Sequence, residues 1–484
     1  MNVKPYSWPA ANEFLGREAE LQRLNDWWTN STREPINLYG RRRVGKSWLL
    51  RKFAHGKPAL VLVAESTTPA QQLSKLADQM VPLLGLKPEI KDIGALFKLI
   101  YQLSESKILV VLDEFPYLLG GSATEIEQSL STVQAIMEQY RDGTTVKLVI
   151  CGSAIAQMED LQSERNPLHG RLQTISLKPL EFSVARLFMP TLNTLDQFTR
   201  FSIAGGMPRY LSMLGEGTLN STLARNIVDK DSPLFAEPIS ILQAELRETS
   251  IYMAILNSLA TKPTSVGDIS SQVGLDSRKL SPYLEKLSAV NIITKRLPVG
   301  AETDSRMGQW ICADDFIRFW FRFVMPYEAD LEAGTDAKTH IEQNITPLLA
   351  NHTSPTFEEL FRRWIRQEYP QASKVGAWWG PSLNHLRRTK ERSSEEIDAV
   401  GMKHQNLEVV GEAKWTNKKM PMSVLTDLYT FKIPAMVQAG FRTPNPAVIV
   451  LVSRSGFANE LEKAAANDSN IRLITAQDIL ERVR

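Results

Sequence analysis

The chain has 484 residues, an ordinary globular composition and a formal net charge of +2, a balance that neither demands nor excludes a nucleic-acid partner. At about 100–200 residues per domain, two to four domains are expected. Two cysteines, Cys151 and Cys312, exclude a disulfide framework; no apolar run is long enough for a membrane, and Met1-Asn2-Val3-Lys4-Pro5 lacks a signal-peptide core, so a cytoplasmic chain is expected.

In chain order, Phe14-Leu15-Gly16-Arg17-Glu18-Ala19-Glu20-Leu21 begins an amphipathic helix. Ile36 to Tyr39 reads as a strand, and Gly40-Arg41-Arg42-Arg43-Val44-Gly45-Lys46-Ser47 follows it, with Trp48 opening a helix. This is a G-x-x-x-x-G-K-[ST] phosphate loop in its required strand–helix context. Backbone N–H groups must turn inward around a phosphate, and Gly40 and Gly45 permit that. Lys46 supplies a cation for the β/γ-phosphates and Ser47 a hydroxyl for Mg²⁺, so ATP and Mg are the expected cofactors. Ile108 to Leu112 reads as a strand buried on both faces, ending in Asp113 and Glu114. Asp113 is the candidate metal ligand and Glu114 the candidate base for the attacking water. A third buried strand, Val146 to Cys151, leads to Gly152-Ser153; Ser153 is either a γ-phosphate sensor or a helix N-cap. The alternation of strands and helices implies an open parallel sheet with its ligand at the C-terminal edge.

These motifs resemble the archaeal-type ATPase family, in the STAND/AAA+-related branch of P-loop NTPases. The segments concerned are Phe14 to Glu18, Gly40 to Ser47, Asp113 to Leu118, Gly152-Ser153, Pro167-Leu168-His169-Gly170-Arg171 and Gly205 to Leu211. The resemblance implies a helical lid near residues 180–245, with the turn at Pro208 close to the adenine. It makes Arg171 a candidate γ-phosphate stabiliser; a surface arginine without a catalytic part is the other reading.

Residues 250–296 suggest three short helices and a wing: Ile251, Ile255 and Leu259 on the first, Val266 to Val273 ended by Gly274, then Leu280, Leu284 and Leu287 on the third. Arg278, Lys279 and Ser281, with Lys295 and Arg296 on the wing, suit DNA phosphates; a protein-contact role for the same module stands beside that reading. The aromatic run Phe316 to Phe323 reads as interdomain packing, with base stacking as the alternative.

The second chemical signal is Glu396-Ile397-Asp398, then, after thirteen residues, Glu412-Ala413-Lys414. A hairpin turning at His404-Gln405-Asn406 brings Asp398 towards Glu412 and Lys414, which share a strand face. Two carboxylates beside a lysine suit a hard cation and a scissile phosphate. The pattern resembles the restriction-endonuclease-like PD-(D/E)XK superfamily, with isoleucine where a proline is usual. The resemblance implies a helical glutamate in the metal site, placed at Glu358, with Glu359 as the neighbouring alternative. Arg387-Arg388-Thr389-Lys390 and Lys418-Lys419 flank the motif.

The expected fold class is α/β multidomain: a P-loop parallel αβα sandwich (1–180), a helical lid (181–247), a winged helix-turn-helix (248–300), a connecting helical segment (301–350) and a restriction-endonuclease-like α/β domain (351–484). The expected function is an ATP-hydrolysing DNA-processing protein whose nucleotide-switched ATPase controls a Mg-dependent nuclease. Catalytic candidates are Glu114, Glu358, Asp398, Glu412 and Lys414, and metal candidates Ser47, Asp113, Glu358, Asp398 and Glu412. The alternative is a regulatory or signalling ATPase whose C-terminal domain cuts nothing and serves DNA binding or docking. DNA is the expected partner, no membrane is, and homo-oligomerisation is compatible with either reading.

Overall fold

The computed structural model describes residues 14–103, 105–246, 249–302, 305–383, 394–443 and 445–483. The basic run Arg387 to Lys390 lies outside them. The chain forms two compact units, one of residues 1–180 with 207–209, the other of 181–206 with 210–484. No helix among the described residues is long and apolar enough to cross a membrane.

The first unit is built on β1 (Ile36–Tyr39), β2 (Ala59–Val63), β3 (Ile108–Asp113), β4 (Val146–Gly152) and β5 (Gln173–Ser176). They form one parallel sheet in the order β2-β3-β4-β1-β5. β1 and β4 are buried along their whole length, as a sheet covered on both faces requires. The helices Leu96, Phe97, Leu130 and Val133 belong to cover one face, where Ile108, Val110 and Leu112 point. Because β4 lies between β1 and β3, the loops after all three strands converge on one sheet edge.

The second unit begins with helices at Phe182–Ala185 and Thr194–Ala204. Three more helices, Thr249–Leu259, Val266–Val273 and Ser277–Ala289, precede an antiparallel ribbon of β6 (Ile293–Arg296) and β7 (Gln309–Cys312). Ser265 and Asp276 cap the second and third of these helices, and Gly274 ends the second in the left-handed region. Leu280, Leu284 and Leu287 are buried, as their spacing predicts. The helix Asp315–Phe323 buries Phe316, Phe319, Trp320, Phe321 and Phe323, so its rings are core and offer no stacking platform.

The last part is a five-stranded sheet of β8 (Lys374–Pro381), β9 (Ser394–Lys403), β10 (Asn406–Lys414), β11 (Val448–Ser453) and β12 (Ile471–Thr475), in the order β12-β11-β10-β9-β8. β8, β9 and β10 are antiparallel; β11 and β12 run parallel to β10. The helix Leu349–Glu368 covers one face through Phe357, Phe361, Trp364 and Ile365. Helices between Met422 and Gln438 cover the other through Leu425, Leu428 and Met436.

The expected separation of a lid, a connecting segment and a C-terminal domain is not how the core divides. Phe198, on the helix Thr194–Ala204, has its ring 5.8 Å from Phe357 and 5.0 Å from Trp415, and Phe182 joins the same cluster. The helices after residue 180 therefore complete the hydrophobic core of the C-terminal sheet, and 181–206 fold with it.

Candidate functional sites

The phosphate loop runs from the end of β1 into the helix Lys46–Ala54. A side chain on Gly40 would put its Cβ 2.4 Å from the Leu177 carbonyl oxygen, and Gly45 sits at φ 102°, so both glycines are required by the backbone. Lys46 is buried, and its Nζ donates to the carbonyls of Gly40 (2.7 Å) and Arg41 (3.2 Å) inside the loop. Arg17, also buried, braces the loop from outside: Nη2 donates to the Val44 carbonyl (3.1 Å) and to that of Lys178 (2.6 Å). Sequence reading found its motif but not this job. The Pro208 ring lies against Gly45, 3.7 Å from where a Cβ would stand.

Asp113 ends β3, and its Oδ1 accepts from the Glu114 amide (3.0 Å). Glu114 takes the left-handed conformation at φ 52°, sparse for a non-glycine residue and concentrated at functional sites. Its carboxylate accepts from the Ser153 hydroxyl (3.0 and 3.1 Å) and amide (3.3 Å). Ser153 is therefore no N-cap: the cap position of the following helix is Ala154. The serine at the end of the neighbouring strand aims the glutamate. Ser47 and Asp113 are hard oxygen donors at the loop edge and fit Mg²⁺ in kind.

Arg171 is not brought to this loop. It precedes Gln173, which pairs with Ile36 at the start of β1, so it stands at the opposite edge of the sheet. There its Nε pairs with Glu138 (2.7 Å) and its Nη1 donates to the Pro167 and His169 carbonyls. As a ligand of the nucleotide in its own subunit it is corrected by this placement.

The second site forms where β9 and β10 part. Their ladder ends at the pair Gly411–Ala399, and beyond it the Ala413 amide donates instead to Asp398 Oδ2 (2.9 Å). Lys414 Nζ lies 2.9 Å from Glu412 Oε2 and 3.5 Å from Asp398 Oδ2. Glu412 is 1% exposed, and Lys432 Nζ reaches its other oxygen at 2.6 Å. Burial and the charge of Asp398 raise Glu412 above its usual range. Burial works to lower Lys414, but Asp398 and Glu412 outweigh it and raise it. Glu358 joins from the helix Leu349–Glu368, accepting from Ser354 (3.2 Å); burial and the charge of Asp398 push it up to about 8. Glu359 is spent on Arg362 (3.0 Å) and the neighbouring Arg363, which leaves Glu358 as the glutamate facing Asp398. Arg362 is buried and donates to the Asp398 carbonyl (2.8 Å).

The geometry narrows the expected metal set. Among the described residues no three His, Cys, Asp or Glu side chains are gathered to hold one ion. Asp398 and Glu412 are the right donors for Mg²⁺, but both Glu412 oxygens are taken by ammonium groups, and Glu358 feels the charge of Asp398 together with those of Arg362, Glu396 and Lys414. A divalent ion at this pair would have to displace a lysine contact. Lys432 carried no signal in the sequence, because it lies in a helix eighteen positions past Lys414. Arg362 did carry one: it is one helical turn from Glu358.

Residues 32–185 match the AAA domain family, and residues 320–424 match a family described as archaeal and bacterial proteins of unknown function. An uncharacterized protein of Methanocaldococcus jannaschii is 27% identical over 84% of this chain and 88% of its own length. An uncharacterized ATP-binding protein of the same organism is 46% identical over 44 residues, 9% of this chain and 75% of its own. The structure is similar to a Walker-type ATPase of Pyrococcus abyssi at 19% identity and a TM-score of 0.50, over 66% of this chain and 99% of that one, a likeness of fold. With the loop geometry, these findings make the first unit a P-loop ATPase domain of the AAA type.

Proposed function

We propose that the chain is an ATP-dependent nucleic-acid-processing protein, in which the ATPase governs a Mg²⁺-dependent phosphodiester cleavage site in the second unit. One observation carries the cleavage reading: Asp398, Glu412 and Lys414 converge at a break in the sheet, with Glu412 fully buried. Two buried carboxylates side by side are costly and are found mainly where chemistry needs them. Lys414 sits beside both carboxylates, where a cation stabilises the charge growing on an attacked phosphate. Bound Mg²⁺ would supply Lewis acidity and an activated water. Asp398 and Glu412 would hold it.

In the ATPase, Lys46 and Ser47 would hold phosphate and metal, and Glu114, aimed by Ser153, would orient the attacking water. The three helices and ribbon of residues 249–312 support a winged-helix reading, with Arg278, Lys279 and Ser281 exposed on the third helix. The test is Mg²⁺-dependent nicking of supercoiled plasmid with ATP, by wild type, Asp398→Asn and Lys414→Met. Loss in both variants supports the assignment; equal activity in all three rejects it.

A second reading has its own observation. The two ammonium contacts on Glu412 also suit a domain that binds without cutting, serving a regulatory ATPase. Nucleotide-dependent DNA affinity with no cleavage under any divalent metal would favour it.

A further inference from the structure

The ribbon β6–β7 does not end in solvent. The Val299 amide donates to the Ala377 carbonyl on the edge strand β8 (2.8 Å), and Val299 packs in the cluster of Trp378 and Ile397. Trp379 Nε1 donates to the Met307 carbonyl (2.9 Å). The chain between the two ribbon strands is thus fastened along β8, beside the strand that carries Asp398. This docking brings Arg296, the last residue of β6, onto the ring of Trp379, its guanidinium carbon 5.6 Å from the centroid.

Arg296 is half-buried and its Nε is fully enclosed without a hydrogen-bond partner. Among the described residues it makes no ion pair. Its surroundings are those of the carboxylate site: Arg362, Glu396, Glu358 and Glu359 all act on its charge, and burial lowers its pKa. A guanidinium over an indole loses part of its freedom, and its planar fork matches a phosphate's two oxygens. The enclosed Nε–H lacks an acceptor, which is unfavourable and points to an anionic oxygen as its missing partner.

We propose that Arg296 is a phosphate-binding residue of the Asp398–Glu412–Lys414 site, carried there by the ribbon, and that it grips the nucleic-acid backbone next to the cleaved linkage. The inference rests on the nuclease reading and adds to it that the site is incomplete without the β6–β7 ribbon. Lys295, one residue earlier, is exposed and lies over no ring among the described residues.

The experiment uses the full chain with an end-labelled 20-base-pair duplex. Binding is measured in the Asp398→Asn background with Mg²⁺ across a salt series, and cleavage in the Asp398 protein. Arg296→Ala should weaken binding about tenfold and lower the salt dependence by roughly one phosphate contact. Arg296→Lys keeps the charge and guards against misfolding; it should retain the salt slope yet cleave as poorly as the alanine variant. Trp379→Leu should fall between them. Wild-type affinity, slope and cleavage in both Arg296 variants would overturn the proposal and leave the nuclease reading intact. A wild-type protein that neither binds nor cuts the duplex overturns both.

Discussion

Glu114 shows how a residue is prepared by its neighbours. Its backbone is held in a sparse conformation and its carboxylate is pinned by Ser153. Glu114→Gln should lower the ATP hydrolysis rate by about 10²–10⁴-fold while leaving nucleotide binding unchanged, measured by phosphate release and by equilibrium titration. Ser153→Ala should lower the rate less, through misdirection of the same carboxylate. His352 gives a prediction of another kind. It is buried, its Nε2 contacts the Ser202 carbonyl (3.1 Å), and burial together with Arg318 and Arg322 holds its pKa well below 6.5. Below pH 6.5 the unfolded chain takes up a proton there and the folded chain does not. Stability is therefore flat above that pH and falls below it, by up to about 1.4 kcal/mol per pH unit from this group. His352→Gln should flatten that part of the urea-midpoint profile between pH 5 and 6.5; parallel profiles would contradict it.

Among the elements, the close fit of loop against strand end is the tightest constraint. Gly40→Ala drives a Cβ into the Leu177 carbonyl at 2.4 Å, backbone against backbone with nothing flexible to yield. Both the melting temperature and ATP affinity should drop, as read by thermal denaturation with and without nucleotide. Much at this scale was legible. The phosphate loop, Asp113-Glu114 and the β9–β10 hairpin each announce themselves through local residue order, because strand, turn and site lie within one short segment. Lys432 was not legible as a site residue, because it arrives by tertiary folding from an element with no chemical pattern of its own; Arg296 was legible as a phosphate contact of the wing and Arg17 as part of a motif, but their places beside the carboxylates and the loop were not. Of the two readings open for Arg171, the parallel register of β5 with β1 favours the surface arginine, because it sends the residue to the other edge of the sheet.

For the whole molecule, domain limits were the least legible feature, since a shared core leaves only scattered apolar positions in each partner. Phe198 is a lone aromatic in sequence and a centrepiece of the C-terminal core in space. A fragment of residues 351–484 should be unstable and aggregate, whereas 181–484 should fold; circular dichroism and size-exclusion chromatography distinguish them. Phe198→Ala in the full chain should cost about 3–5 kcal/mol in the second unit. The first unit has its own complication, for Met207–Arg209 belong to it although the chain on either side does not. Excising residues 1–180 as a minimal enzyme would transplant an intact nucleotide motif without Pro208, the proline that rests on Gly45. Weak turnover by such a truncation would then reflect a missing three-residue patch, supplied from further along the polypeptide, and would be no measure of what the native catalyst can do.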